Sequence, residues 1–347
     1  MQNNFDAVRL GLALIVVFCH VAVLTQLPAF QPFLNYLSAD FAVKGFFVLS
    51  GCLVTRSFLS SATGLEYAQK RVRRIYPAYL TTIGVAWLIG LAVTSLPAAD
   101  FLQSTAAYKY LGANASFLNF LQPTLPGVFE QHPVPVMNGS LWTIKVELCL
   151  YACVPLLVFL FRRIGPYPAA ILAFLIALVW DWLLPHVAGL SPKMVAELGR
   201  QFPGALHLFA FGALYTVEER RLGPIIGWVA LGTFSILMLF PDSGLQRVVE
   251  PVCYAASVLF FATRLPVHLN AGKWGDLSYG TYLLHFPLIQ LFIQLGLFKA
   301  NPWLGLAGLL LTVLGAAFLL WHFIEKPFLK RSSHYLATEV ATKTVAY

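Results

Sequence analysis

Of 347 residues, 59% are hydrophobic and only 11% are Asp, Glu, Lys or Arg, less than half the roughly 25% charged content of an ordinary soluble domain. The formal charge of +8 reflects few acids (15) rather than many bases (23), so it does not indicate a nucleic-acid binder. Disordered and disulfide-rich secreted classes are excluded too, and a mean hydropathy of +0.73 points to an integral membrane protein.

A spanning helix needs about 20 mostly apolar residues. The first uncharged run, residues 10–39, is too long for one helix, and Gln26 to Pro32, with two prolines, supplies a turn. The apolar runs that follow are 41–59, 75–99, 141–161, 168–185, 201–217, 222–241, 251–263, 277–298 and 300–324. They predict an all-α bundle of about ten transmembrane helices. Fifteen Lys and Arg fall in alternate loops and only five in the others. By the positive-inside rule this places both termini in the cytoplasm, N-in/C-in. Residues 1–330 then form one transmembrane domain and 331–347 a short cytoplasmic tail. The longest outer segment, about 97–139, is rich in aromatics and amides, a composition that stacks on and hydrogen-bonds sugars as readily as it forms an interfacial belt. A loop of that length is expected to fold back on the membrane face. The five cysteines sit in predicted spans without CxxC or Cys/His spacing, so no metal is expected.

Ionisable groups at membrane depth are costly and mark function by default. Arg9 and His20 lie eleven residues apart in the first span, which at about 100° per residue puts them within about 20° on one face and about 16 Å apart along the axis. Together they suggest a cation site and a base lining one cavity. Glu147, about 10 Å below the outer face, is nearly level with His20 in a core about 30 Å thick, a depth at which a carboxylate could orient the imidazole. Lys44 has Glu147 or Asp40 as possible partners. His285, in Tyr282-Leu-Leu-His-Phe-Pro287, is about 12 Å deep from the inner side, beside a proline expected to kink its helix. His322 and Glu325 are spaced to bond each other on a helix, while His132 and His186 lie outside and look ordinary. Arg71, Arg73 and Arg74, with Lys70, put four cations in five positions before the third span. They serve either as an anchor to anionic lipid or as forked donors to the phosphates of a cofactor. No P-loop or GxGxxG motif is present.

Six motifs in order resemble the membrane-bound acyltransferase 3 family, which includes O-antigen and exopolysaccharide O-acetylases. They are Arg9 with His20; Gly45-Phe-Phe-Val-Leu-Ser-Gly51; Arg71-Val-Arg-Arg74; Gly139-Ser-Leu-Trp-Thr-Ile-Lys-Val-Glu147; Tyr282 to Pro287; and Ile324-Glu-Lys-Pro327. The likeness covers about residues 5 to 330. It implies a multi-pass protein of the bacterial inner membrane with no permanently bound cofactor. Its reaction would move an acyl group, usually acetyl, from cytoplasmic acetyl-CoA (acyl-CoA) to a hydroxyl of a glycan or lipid-linked glycan acceptor. On that basis His20 is expected to act as general base with Glu147 or a nearby polar group orienting it, and His285 to stabilise oxyanion charge from the opposite wall. Arg9, Arg71, Arg73 and Arg74 are expected to hold the donor phosphates. Rival readings are a transporter or flippase, and an acyltransferase for a small molecule or lipid.

Overall fold

The computed structural model describes residues 3–241, 244–267, 269 and 271–329, and all regular structure among them is helical. Ten helices coincide with the ten apolar runs: α1 Phe5–Thr25, α2 Ala39–Leu59, α3 Gly64–Val93, α4 Trp142–Ile164, α5 Pro166–Leu183, α6 Phe202–Val217, α7 Ile226–Leu239, α8 Gln246–Thr263, α9 Leu277–Gln294 and α10 Pro302–Leu319. Six helical stretches of the described residues are long and apolar enough to cross a membrane. They begin at Phe5, Ala39, Gly64, Trp142, Pro166 and Pro302. The expected tail, 331–347, lies outside the described residues.

Local chemistry sets the helix ends. Asn301 accepts from the backbone N–H groups of Trp303 and Leu304, and Asp276 from that of Ser278, satisfying donors that have no partner inside the first turn. Pro166 and Pro302 occupy first helical positions, where no N–H is needed. Gly165, at φ +92°, makes the turn from α4 into α5.

Two compact units emerge, each assembled from three stretches of chain. The first comprises Met1–Arg9, Asp40–Tyr67 and Val146–Leu269. In it α5 packs on α6, α6 on α8 and α7 on α8. Helix α2 meets α6 through small residues: a Cβ on Gly51 would lie 2.1 Å from the Phe209 carbonyl oxygen, and one on Gly212 2.0 Å from that of Val48. The close approach allows Cys52 Sγ to donate to the Gly212 carbonyl at 3.1 Å and Thr216 Oγ1 to that of Cys52 at 3.1 Å. Such backbone proximity replaces the hydrophobic driving force that lipid removes. Gly212→Ala is therefore expected to force the helices apart and destabilise by about 1–3 kcal/mol, lowering the melting temperature in detergent. Gly11→Ala, where no atom lies within 4 Å, is expected to leave it unchanged.

The second unit comprises Leu10–Ala39, Ala68–Lys145 and Asn270–Tyr347. Here α9 and α10 pack through Gly280, whose Cβ would come within 2.9 Å of Ala317 Cα. The long segment after α3 folds back on it. It forms short helices at Ala98–Gln103 and Thr105–Ala115. Trp87 Nε1 donates to the Ala107 carbonyl at 3.2 Å, and Tyr79 Oη to that of Asn114 at 2.8 Å.

Candidate active site

His20 of α1 and His285 of α9 are 265 positions apart in sequence, and the second unit brings them into direct contact. His20 Nδ1 lies 2.9 Å from His285 Nε2, with ring centroids 5.0 Å apart and planes inclined by 29°. His285 is fully buried, and its Nδ1 is 2.7 Å from the Tyr282 carbonyl oxygen. A carbonyl only accepts, so Nδ1 of His285 carries the hydrogen. In a neutral ring its Nε2 then presents a lone pair. His20 Nδ1 must be the donor to it, which leaves Nε2 of the half-buried His20 as the unprotonated nitrogen. Hydrogen bonding thus assigns the tautomers. Both ring nitrogens of His285 are engaged. Neither nitrogen is left facing open space.

The carbonyl that Pro287 leaves without an N–H partner is satisfied by a side chain from outside the helix. Proline has no N–H to offer residue i−4, here Leu283, and Asn138 Nδ2 donates to the Leu283 carbonyl instead at 2.9 Å. Helix α4 repeats the device: Pro155 deprives the Tyr151 carbonyl, and Tyr67 Oη donates to it at 2.8 Å. Further along α9, His132 is not the ordinary outer histidine its position suggested. Its Nδ1 lies 2.8 Å from Oε1 of the fully buried Gln290, and its Nε2 3.0 Å from Gln294 Oε1.

Arg9 lies on α1 with His20 and is half-buried. Glu147 belongs to the first unit, where Ser50 Oγ donates to its Oε1 at 2.7 Å and Tyr151 Oη donates to the same oxygen. Tyr151, one helical turn on, was legible from i,i+4 spacing; Ser50, from α2, was not. Lys44 pairs with Asp40 at 2.8 Å, and Glu250 lies 3.9 Å away.

At the start of α3 the three arginines differ. Arg73 is exposed, whereas Arg71 and Arg74 are buried. Arg74 forks to two carboxylates, Nη2 to Asp276 and Nη1 to Glu325. Its guanidinium also lies over the rings of Tyr279 and Trp321, at 5.2 and 5.6 Å. Asp276 caps α9, so a single cation ties α3 to the helix that carries His285. Glu325 ends a π-helical turn, Leu320–Glu325, whose changed register sets aside the expected His322–Glu325 pair; His322 Nδ1 instead donates to the Phe318 carbonyl at 3.0 Å. Gly275, at φ +92°, passes beneath Trp321, whose Nε1 would be 2.0 Å from a Cβ there. Asp276 went unnoticed in the sequence because a lone acid before a span reads as an ordinary cap.

The model of a family described as Acyltransferase domain matches residues 2–322. Over 98% of its length the chain is 27% identical to Nodulation protein 10 of Rhizobium leguminosarum bv. viciae, 96% of which is covered. It is 26% identical to an O-acetyl transferase of Shigella phage Sf6, over 97% of the chain and 99% of that protein. Peptidoglycan O-acetyltransferase OatA of Listeria monocytogenes serovar 1/2a is 26% identical over 82% of this chain, which spans 50% of OatA. No solved structure matches the chain.

Proposed function

The chain belongs to the acyltransferase 3 family and is a membrane O-acetyltransferase; from that premise we propose that it moves acetyl from cytoplasmic acetyl-CoA to a hydroxyl of a cell-surface glycan or its lipid-linked precursor. The protein then works as a multi-pass enzyme of the bacterial inner membrane, with about ten spans and both termini inside. The observation that carries the chemistry is the hydrogen-bonded pair His20–His285, with an unprotonated nitrogen on His20.

A sugar hydroxyl is a weak nucleophile until its proton is removed as the new bond forms. His20 Nε2 takes that proton while the hydroxyl oxygen attacks the thioester carbonyl carbon. The C–S bond then breaks, and the departing thiolate recovers the proton from His20, giving the acetyl ester and free CoA. As the ring becomes an imidazolium, its Nδ1–H···Nε2 bond to His285 becomes charge-assisted and stronger. His285 needs no charge of its own for this: the Tyr282 carbonyl keeps its Nε2 an acceptor. Glu147, fixed by Ser50 and Tyr151, and Arg9 supply further polar groups at membrane depth.

The exposed Arg73 and its neighbour Arg71 hold the donor phosphates at the cytoplasmic end of α3. With charge-assisted hydrogen bonds contributing about 1.5–3 kcal/mol each, the double variant Arg71→Ala/Arg73→Ala is expected to raise KM for acetyl-CoA by about 10- to 100-fold while kcat changes little. Unchanged activity at limiting acetyl-CoA would return these two arginines to a lipid-anchoring role. The reading as a whole is tested by mass spectrometry of surface polysaccharide from cells with and without the gene, and from cells carrying His20→Ala. An acetyl-sized mass difference that depends on His20 is expected. Identical glycans in all three would overturn the acceptor assignment.

A further inference from the structure

An irregular segment from the stretch between α3 and α4 runs beside α9 and ends near the histidines. Its Val134 and Val136 carbonyls both accept from Nε2 of Gln290, at 2.7 and 2.8 Å. Asn138 follows on the Leu283 carbonyl. Gln290 and Leu283 are seven residues apart on α9, about 10 Å along its axis. Irregular backbone at membrane depth persists only where protein or water satisfies it, and here α9 side chains and the carbonyl freed by Pro287 do so.

Gly139 comes next, against the ring of Phe286. A Cβ on Gly139 would lie 2.9 Å from Phe286 Cε2 and 3.0 Å from Cζ, with Val136 Cγ2 at 3.4 Å. Phe286 is buried at 3% exposure, so its ring has little room to yield. Its contact with His20 is edge-on, with centroids 5.3 Å apart and planes at 66°. His20 is thus held by two consecutive residues of α9, His285 through its Nε2 and Phe286 through its ring. Tyr282, whose carbonyl sets the His285 tautomer, is tied to the same segment: its Oη lies 2.8 Å from Thr143 Oγ1 and 3.2 Å from the Ser140 carbonyl.

We propose that Gly139 and Phe286 are positioning residues for His20: the segment strapped along α9 sets the Phe286 ring, and that ring sets the angle and reach of the His20 imidazole. Glycine is required at 139 because any side chain would displace the Phe286 ring that His20 contacts. The proposal rests on His20 as the base of the transfer described above. It predicts that an added methyl group at 139 acts through Phe286 and not through the backbone.

The test uses purified full-length protein in detergent, with Gly139→Ala, Phe286→Leu and the double variant. Transfer from labelled acetyl-CoA to envelope glycan of the producing cells gives kcat and KM. Carbethoxylation of His20 by diethyl pyrocarbonate, followed by peptide mass spectrometry, reports the ring without any turnover. Gly139→Ala is expected to lower kcat by about 10- to 100-fold, the size of loss that a misplaced catalytic group produces, with KM for acetyl-CoA unchanged and His20 labelling altered. The double variant is expected to return to the kcat and labelling of Phe286→Leu alone. Wild-type kcat and labelling in Gly139→Ala, or a double variant as impaired as Gly139→Ala, would overturn the proposal. If Gly139→Ala does not fold, Phe286→Leu decides: faster His20 labelling with lower kcat at constant KM supports positioning, and no change in either refutes it. Absence of transfer by the wild-type protein would count against the functional reading, while the labelling still judges the contact.

Discussion

Replacement of His20 by Ala is expected to lower acetyl transfer by about 10²- to 10⁴-fold, the usual contribution of a positioned general base, with KM for acetyl-CoA little changed. Steady-state rates of purified protein measure it, with thermal melting to show that the fold survives. The argument rests on proton accounting: the Tyr282 carbonyl takes the hydrogen of His285 Nδ1, His285 Nε2 takes that of His20 Nδ1, and the remaining nitrogen is bare. His285→Ala is expected to be the milder change in kcat. It leaves the base in place and removes only the group that fixes its tautomer and stabilises the imidazolium. Wild-type turnover by His20→Ala would remove the pair from the chemistry altogether.

Arg74→Ala is expected to cost about 3–5 kcal/mol, as when one partner of a buried ion pair is deleted, and to reduce the yield of monodisperse protein rather than raise KM for acetyl-CoA. Arg74, Asp276 and Glu325 are only 5%, 3% and 1% exposed at their side chains. Deleting the guanidinium deprives two buried carboxylates of the cation they share. Arg74→Lys is not expected to rescue the fold, because an ammonium is a point charge and does not present a planar fork to two acceptors. Size-exclusion profiles and melting curves of both variants, set beside KM for acetyl-CoA, check this. A well-folded Arg74→Ala protein with sharply raised KM would instead make Arg74 a donor ligand, as its motif implied.

Much of this architecture was legible in the sequence. Apolar runs in lipid satisfy their backbone as helices, so each run overlaps one, six of them in stretches long and apolar enough to cross a membrane, and the 3.6-residue period places Arg9 and His20 on one stripe of α1. What periodicity does not encode is the partner on another helix. Residue counting sets Glu147 level with His20, but it does not name the atoms on its carboxylate, which are those of Ser50 and Tyr151, or the nitrogen facing His20 Nδ1, which belongs to His285. Identical charge in adjacent arginines concealed opposite surroundings: Arg74 faces two acids contributed by residues 202 and 251 positions away, while Arg73 is exposed. The π-turn at Leu320–Glu325 likewise defeats a rule that assumes α-helical spacing for His322 and Glu325. Pro287 marks a carbonyl without its N–H partner, but only the fold reveals that Asn138 supplies the missing donor.

The segment anchored along α9 also bears on how this enzyme can be re-engineered. The outer loop invites wholesale exchange with that of a relative to change acceptor preference, yet it is two pieces with different obligations. Residues 98–121 form helices seated on α3 and are the part open to replacement. From His132 to Gly139 the chain is keyed to Gln290, Leu283 and Phe286, so a graft that crosses this boundary would alter the His20–His285 pair together with the specificity it was meant to transfer. Chimeras joined before His132 should keep turnover while trading acceptors; those joined after it need the matching α9 from the same donor.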